Sequence, residues 1–273
     1  MIHSSTAIAW IPRDQVTSVY QYEREFFDYI NQGSLDSASV VAPLLVSALR
    51  PRSVLDVGCG QGAWLRVWGE SGVPEFTGVD GPYVDPERLL IPSSRFAAND
   101  LTRPFDLGRR FDLVQCLEVA EHLPQGASAG LVDSLVGHGD LILFSAATPG
   151  QGGENHLNEQ PHEFWRALFA DHGYRLLDFV RPRIREHPKV ESWYRYNSFL
   201  FASPDRLSTL PGEVQASALD AEAPIPTFEP LGYRMRRGIM KHLPQSSIEA
   251  LARLKHNAVL RARQRGNGGA PAS

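Results

Sequence analysis

Residues 54–65 read VLDVGCGQGAWL, and no other stretch constrains the fold as tightly. A short apolar run ends in an acid, Asp56, and Gly58, Gly60 and Gly62 follow at alternate positions. Bare backbone at that spacing lets a chain turn sharply and approach a bound molecule where any Cβ would collide. The apolar run reads as a buried strand, and GAWLRVWGESG after it reads as a helix. Strand, glycine-rich turn and helix in that order make a ligand cradle at the carboxyl edge of an α/β sheet.

The rest of the chain fits that frame. SVLDVG, EFTGVD, RFAAND, FDLVQCLE and DLILFSAA read as strands, and GAWLRVWGESG, DPERLL and QGASAGLVDSLVG as helices or half-helices between them. Such alternation implies βαβ units and a mostly parallel sheet. PHEFWRALFADHGY is a further helix. RLLDFVRPRI and WYRYNSFLFAS then read as extended segments that pair as an antiparallel edge. Residues 1–50 form an N-terminal helical cap: helical from about Val16, broken at Gly33, and restarted with Ser37 or Ser39 as cap. Residues 51–204 make the central domain. Residues 205–230, rich in Pro, Ala and acids, read as a linker, and 231–273 as a basic helical tail with a disordered end, GNGGAPAS.

Composition narrows the class. Of 273 residues, 42% are hydrophobic and 21% charged, which suits a globular protein with a real core. A net charge of −4 argues against the whole chain as an electrostatic nucleic-acid binder. Cys59 and Cys116 form no CxxC pair, so a disulfide framework is not expected and a reducing cytoplasm is. MIHSSTAIAWIPRDQ lacks the basic and apolar regions of a signal peptide. No apolar run approaches the roughly 20 residues of a membrane span, and no internal repeat stands out.

The glycine spacing separates two ligands. A dinucleotide fingerprint places glycines at positions one, three and six. Here they fall at one, three and five, with Asp56 two residues before the first. A carboxylate there repels a pyrophosphate and attracts an ammonium group. The complete D-x-G-x-G-x-G resembles motif I of the class I S-adenosylmethionine-dependent methyltransferases. The resemblance implies a Rossmann-like α/β fold: a mostly parallel seven-stranded sheet with an antiparallel edge strand and helices on both faces. It also implies that Asp56, Gly58, Gly60 and Gly62 carry the amino-acid end of the cofactor. Asp80, beside Gly81 in FTGVDG, fits a carboxylate accepting both ribose hydroxyls. Asp100 in AANDL stands where the family places an acid near the adenine amino group, with Leu101 against the ring. Leu117, ending the fourth strand, borders the same cofactor edge. Against this stands a structural strand–turn–helix with incidental glycines, and single acids at strand ends are common. Three successive strand ends offering acids or glycines to one edge favour the cofactor. The resemblance covers about residues 53–203.

The acceptor side is marked by CLEVAEHL, Cys116–Leu123. Glu118, Glu121 and His122 follow i, i+3, i+4 spacing, so a helical turn after the strand points all three one way. Two carboxylates and an imidazole suit Mg²⁺, Mn²⁺ or a similar divalent cation. His156, in TPGQGGENHLNEQPHEFW, is the candidate fourth ligand, with His162 second. This E-x-x-E-H with a later histidine resembles the small-RNA 2′-O-methyltransferases and the ubiquinone-pathway catechol O-methyltransferases. The resemblance implies a metal held by Glu118, Glu121, His122 and His156 that grips two adjacent acceptor hydroxyls. A bound cation lowers a hydroxyl's pKa and orients it toward the sulfonium methyl. His122, His156 and Glu121 are the catalytic candidates, with His162 and Glu159 as further bases. The same residues also serve a metal-free reading, in which the acids cap the next helix or reach the methionine amino group through water.

GVDGPYVD, SAATPGQGG, NHLNEQ and SWYRYN resemble, more loosely, a bacterial group of small-molecule and sugar methyltransferases. That implies a carbohydrate or polyhydroxylated acceptor. Trp193, Tyr194, Tyr196 and Asn197 on the expected edge strand could stack on and bond a sugar. Tyr20, Tyr22, Phe26 and Tyr29 could roof the pocket, although aromatics at helical spacing are more often core. In the tail, Arg234, Arg236, Arg237, Lys241, Arg253, Lys255, Arg261, Arg263 and Arg265 stand against Glu249 alone. Such a tail suits an anionic partner, a peripheral membrane contact included, or a homo-oligomer contact. No RNA-binding module accompanies it. Three functions therefore compete: a metal-assisted O-methyltransferase, a metal-free small-molecule methyltransferase using His122 or His156 as base, and a non-catalytic cofactor-binding protein.

Overall fold

A computed structural model describes residues 13–243, with side chains from residue 31 onward. The chain opens with one long helix, α1 (Arg13–Leu49). Gly33 does not break it. The Ser37 hydroxyl donates back to the Gly33 carbonyl at 2.7 Å, so Ser37 sits inside the helix rather than capping a second one. Ser39 likewise donates to the Asp36 carbonyl. A glycine in a helix interior costs about 1 kcal/mol relative to alanine. Burial of Ala38, Val41, Ala42, Leu45 and Leu49 on the next turns outweighs it. Gly33 also admits the Glu191 side chain, which lies 3.2 Å from where its Cβ would stand.

The alternating region follows: β1 (Ser53–Val57), α2 (Ala63–Glu70), β2 (Glu75–Asp80), β3 (Phe96–Ala98), β4 (Leu113–Leu117), α3 (Ser128–His138) and β5 (Leu141–Ser145). DPERLL yields only a single 3₁₀ turn, Pro86–Arg88. Next come α4 (His162–Asp171), β6 (Arg175–Leu177), α5 (Arg181–Ile184), α6 (Ser192–Asn197) and β7 (Phe199–Ala202). Last are α7 (Pro204–Thr209), α8 (Gly212–Gln215) and α9 (Leu231–Met240).

The seven strands form one sheet in the order β3-β2-β1-β4-β5-β7-β6. The β1, β2, β3, β4 and β5 pairings are parallel, and β7 runs antiparallel to both β5 and β6 at that margin. Strand residues alternate between two core layers. In β5, Leu141 and Leu143 join the layer of α1 and α2, while Ile142 and Phe144 join that of α3 and α4. The strand order reverses between β1 and β4, and the crevice there is where such sheets bind ligands. Cys59 and Cys116 are both free and buried.

Two extended expectations fail locally. RPRI folds as α5 and SWYRYN as α6, leaving only RLL and FLFA as strands. Pro182 suits the first turn of a helix. The aromatics of α6 carry strand propensity, but tertiary contacts override it: the Tyr194 hydroxyl meets Ser34 and accepts from the Trp64 indole. Residues 205–230 are tied to the domain. Leu210 and Val214 are buried, Leu177 bridges Ala218, and Arg166 donates to the Ala223 carbonyl. Tyr20, Tyr22, Phe26 and Tyr29 lie on the α1 backbone, outside the described side chains. Arg253, Lys255, Arg261, Arg263, Arg265 and the GNGGAPAS end lie outside the described residues.

Candidate active site

The cofactor cradle is built at the carboxyl ends of β1 and β2. Gly58 takes a φ of +82°, and a Cβ there would stand 2.2 Å from Val119. Gly60, at φ +53°, has open space on the side where a Cβ would project. The first glycine is needed for packing, and the second leaves room for a ligand. Asp80 organises the loop: one carboxylate oxygen accepts from the Gly60 amide at 2.7 Å, the other from the Gly81 amide at 2.6 Å. Tyr83 lays its ring over Gly81 and donates its hydroxyl to the Asp80 carboxylate at 2.5 Å.

Asp56 is buried at the end of β1. Burial raises its pKa to about 7, opposed in part by the neighbouring Gln115 amide and reinforced by Asp80. A buried acid whose charged form is disfavoured is a receptor for a cationic group. Asp100 follows β3, where its carboxylate accepts from the Thr102 amide and hydroxyl, so it shapes the turn leading to buried Leu101. Leu117 is buried at the end of β4.

Beyond β4 the chain bends. Glu118 adopts a φ of +54°, and its amide continues the ladder by donating to the Ser145 carbonyl. A 3₁₀ turn, Ala120–His122, then turns Glu121 inward. The loop after β5 folds back onto this turn: the amides of Leu157 and Asn158 both donate to the Glu121 carbonyl. The Asn158 side chain fixes the loop further by donating to the Ala120 carbonyl and the Ser128 hydroxyl.

This folding brings the ligand atoms of Glu121, His122 and His156 within 4.8 Å of one another. Glu118 stands outside that trio, accepting from Gln151 at 3.0 Å and from Asn197 at 3.4 Å. Asn197 also donates to Gln151, and its carbonyl oxygen meets His162 Nε2 at 3.2 Å. His162 therefore belongs to the Glu118 network rather than to the trio. The imidazoles of His122 and His156 meet edge to face, 4.9 Å between centroids. His122 Nδ1 faces the Asn155 carbonyl at 3.3 Å, and His156 Nδ1 faces Glu159 Oε1 at 2.9 Å. Nδ1–H bonds of this kind turn Nε2 of each ring toward coordination or proton transfer.

The electrostatics suit a cation. Glu121 is fully buried; its Oε1 accepts from the Ala147 amide, and its Oε2 has no hydrogen-bond partner. Burial, and then the nearby Glu118 carboxyl, push its pKa well above the usual range. Glu118 is also raised, by burial. Burial and the neighbouring His156 lower His122 to about 4, so its ring is neutral at neutral pH. Burial lowers His162 to about 3. A buried carboxyl oxygen without a partner, beside two imidazoles, is a donor set of the kind a divalent cation takes.

Several contributors carried no strong sequence signal. Gln151 and Asn158 lie in stretches that carry only a loose resemblance, and Glu159 reads as a candidate base rather than a partner of His156; the roles of all three depend on chain reversal. Glu159 accepts from the amides of Gly150 and Gly152, bracing the loop as well as His156. Tyr194, read as a sugar contact, is instead a buried link among α1, α2 and α6. Tyr196 is buried against Tyr233 of α9, 5.2 Å between ring centroids.

Sheet order, glycine cradle and acidic strand ends together define a class I S-adenosylmethionine-dependent methyltransferase. The family model described as a methyltransferase domain matches residues 29–175, more than half of the chain, and the protein belongs to that family. The ubiquinone biosynthesis O-methyltransferase of Alkalilimnicola ehrlichii is 23% identical over 256 residues, covering 91% of this chain and 86% of the relative. Among solved structures, the sugar N-methyltransferase KedS8 from Streptoalloteichus sp is 18% identical, with a TM-score of 0.48 over 74% of this chain and 98% of that one. An O-methyltransferase family protein of Burkholderia thailandensis is 17% identical, with a TM-score of 0.46 over 64% of this chain and 56% of that one.

Proposed function

We propose that this methyltransferase acts on a hydroxyl of a sugar or polyhydroxylated small molecule, with a divalent cation, Mg²⁺ or Mn²⁺, gripping adjacent hydroxyls. The observation that carries the proposal is the trio itself: Glu121, His122 and His156 converge, and Glu121 Oε2 is buried without a partner. An acid in that state is costly unless a cation satisfies it. Glu121, His122 and His156 would hold the ion, with Glu118 close enough to Glu121 to raise its pKa. When bound, the ion would acidify and orient an acceptor hydroxyl. The relative from A. ehrlichii, an O-methyltransferase by name, supports oxygen as the acceptor atom.

The chain's own residues supply the rest. Asp56 and the Gly58–Gly62 loop hold the amino-acid end of S-adenosylmethionine, and Asp80 accepts from its ribose. Asp100 and Leu101 border the adenine. Glu159 orients His156, while Gln151 and Asn197 keep the Glu118 carboxyl in place. The 149–158 loop is bonded down to Glu121 through the Leu157 and Asn158 amides, which holds His156 beside His122.

A second reading has support of its own. Glu159–His156 has the form of an oriented general base, which needs no metal. In that case the acceptor hydroxyl gives its proton to His156 or His122. Mn²⁺ titration of the protein with S-adenosylhomocysteine, followed by electron paramagnetic resonance, separates the two. One tightly bound ion, lost in Glu121→Gln, supports the metal. No bound ion, with transfer unaffected by chelator, assigns the chemistry to the histidines alone.

A further inference from the structure

Helix α9 has two faces of opposite character. On the inner face, Tyr233 meets Tyr196 and Met240 is buried. Flanking them, Arg236 donates to the Gln151 carbonyl and Arg237 to the Pro149 carbonyl, and Arg237 also pairs with Glu229. Gly150 lies so close that a Cβ would stand 2.3 Å from the Arg237 carbonyl. The helix is thus fastened on the loop that carries His156. On the outer face, Leu231, Met235 and Ile239 recur at i, i+4 and i+8 and form one stripe. They are 69%, 62% and 65% exposed. Residues 31–243 include two other large hydrophobics so exposed, Tyr83 beside Asp80 and Leu157 beside His156.

Charge decides what this stripe meets. From Leu231 to Met240 the helix carries Arg234, Arg236 and Arg237 and no acid, and Lys241 follows directly. Over 231–273 the sequence has nine Lys or Arg against one acid, whereas the whole chain is −4. An apolar stripe bordered by cations is the pattern of a helix lying in the interface of an anionic bilayer. No described helix is long and apolar enough to cross one.

We propose that α9 docks the enzyme on an anionic lipid surface, with Leu231, Met235 and Ile239 in the acyl boundary and Arg234 and Lys241 at the headgroups. Because Arg236 and Arg237 fasten the opposite side to the 149–151 loop, docking holds the acceptor side of the site beside the bilayer. The proposal does not depend on the metal or on the acceptor.

Co-sedimentation of the full chain, loaded with S-adenosylhomocysteine, with phosphatidylcholine vesicles with and without phosphatidylglycerol tests it. The protein should pellet with the anionic vesicles, stay in solution with the neutral ones, and be released by salt. Replacing Leu231, Met235 and Ile239 together by serine should weaken vesicle binding at least about tenfold, with S-adenosylhomocysteine affinity unchanged. Arg234→Glu with Lys241→Glu should weaken it too. Wild-type protein remaining in solution with anionic vesicles at low salt would overturn the proposal. So would a serine variant that pellets like wild type, since binding would then rest on other basic segments. A change from dimer to monomer in sedimentation velocity on serine replacement, without loss of vesicle binding, would reassign the stripe to a second copy of the chain.

Discussion

His156 Nδ1 lies 2.9 Å from Glu159 Oε1, and the same carboxylate accepts from the Gly150 and Gly152 amides. One acid thus sets both the path of the loop and the tautomer of a ring in the trio. Burial opposes ionisation of Glu159, yet the His156 and amide hydrogen bonds hold its pKa below the usual value.

Glu159→Gln keeps the size of the side chain and removes its charge. Mn²⁺ affinity should fall about 10- to 100-fold, the usual loss when the partner of a ligating histidine is removed. Electron paramagnetic resonance titration reads this directly. An unchanged affinity would remove His156 from the ligand set.

Gly153 tests the same ring by volume. A Cβ there would stand 2.1 Å from His156 Nε2, so Gly153→Ala must move the imidazole. Displacing a catalytic group by about 1 Å can cost about 100-fold in rate. kcat should drop by that order while the S-adenosylhomocysteine Kd from calorimetry stays put.

Asp80 holds two backbone amides of the cradle, and Tyr83 occupies one of its oxygens. Asp80→Ala leaves both amides without their acceptor and should weaken cofactor binding by about 10- to 100-fold, as for lost hydrogen bonds to a charged group. Tyr83→Phe frees an oxygen for a ribose hydroxyl and should tighten binding a few-fold. Isothermal titration of both variants checks the pair; weaker binding by Tyr83→Phe would show that the phenol assists the cofactor.

Asp56 sets a pH dependence. Burial holds its pKa at about 7 in the folded protein, against 3.8 for an ordinary aspartate carboxyl. Between those values the folded state holds the extra proton, so this group's contribution to stability falls as pH rises from about 4 to 7. Cofactor affinity runs the other way, because the ionised form attracts the ammonium group. It should rise as pH passes through about 7 and then level off. Asp56→Asn should flatten both profiles in thermal melts and in S-adenosylhomocysteine titrations.

A last substitution addresses the 205–230 stretch. Arg181 is buried, forms a two-pronged pair with Asp178, donates to the Tyr196 and Pro226 carbonyls, and lies 4.0 Å over the Phe199 ring. Arg181→Ala leaves Asp178 buried and unpaired and should cost about 3–5 kcal/mol. Urea unfolding measures it; a loss under about 1 kcal/mol would mean that the stretch does not depend on this anchor.

What the sequence determined by itself was local. The cradle at 54–65 was legible because glycine spacing, a preceding acid and flanking apolar runs are near-neighbour properties, and five parallel strands followed from alternation. The trio was legible in part: E-x-x-E-H keeps Glu121 and His122 together over one turn. Tertiary structure decided the rest. Glu118 is held by Gln151 and Asn197, which come from two distant segments and so could not be read from E-x-x-E-H. Gly33 stays helical and SWYRYN turns helical because burial against neighbouring elements outweighs propensities worth about 1 kcal/mol. Only the folded chain sets α9 on the loop that carries His156, with its basic, apolar outer face toward solvent, since no periodicity within 231–240 tells which side has a partner.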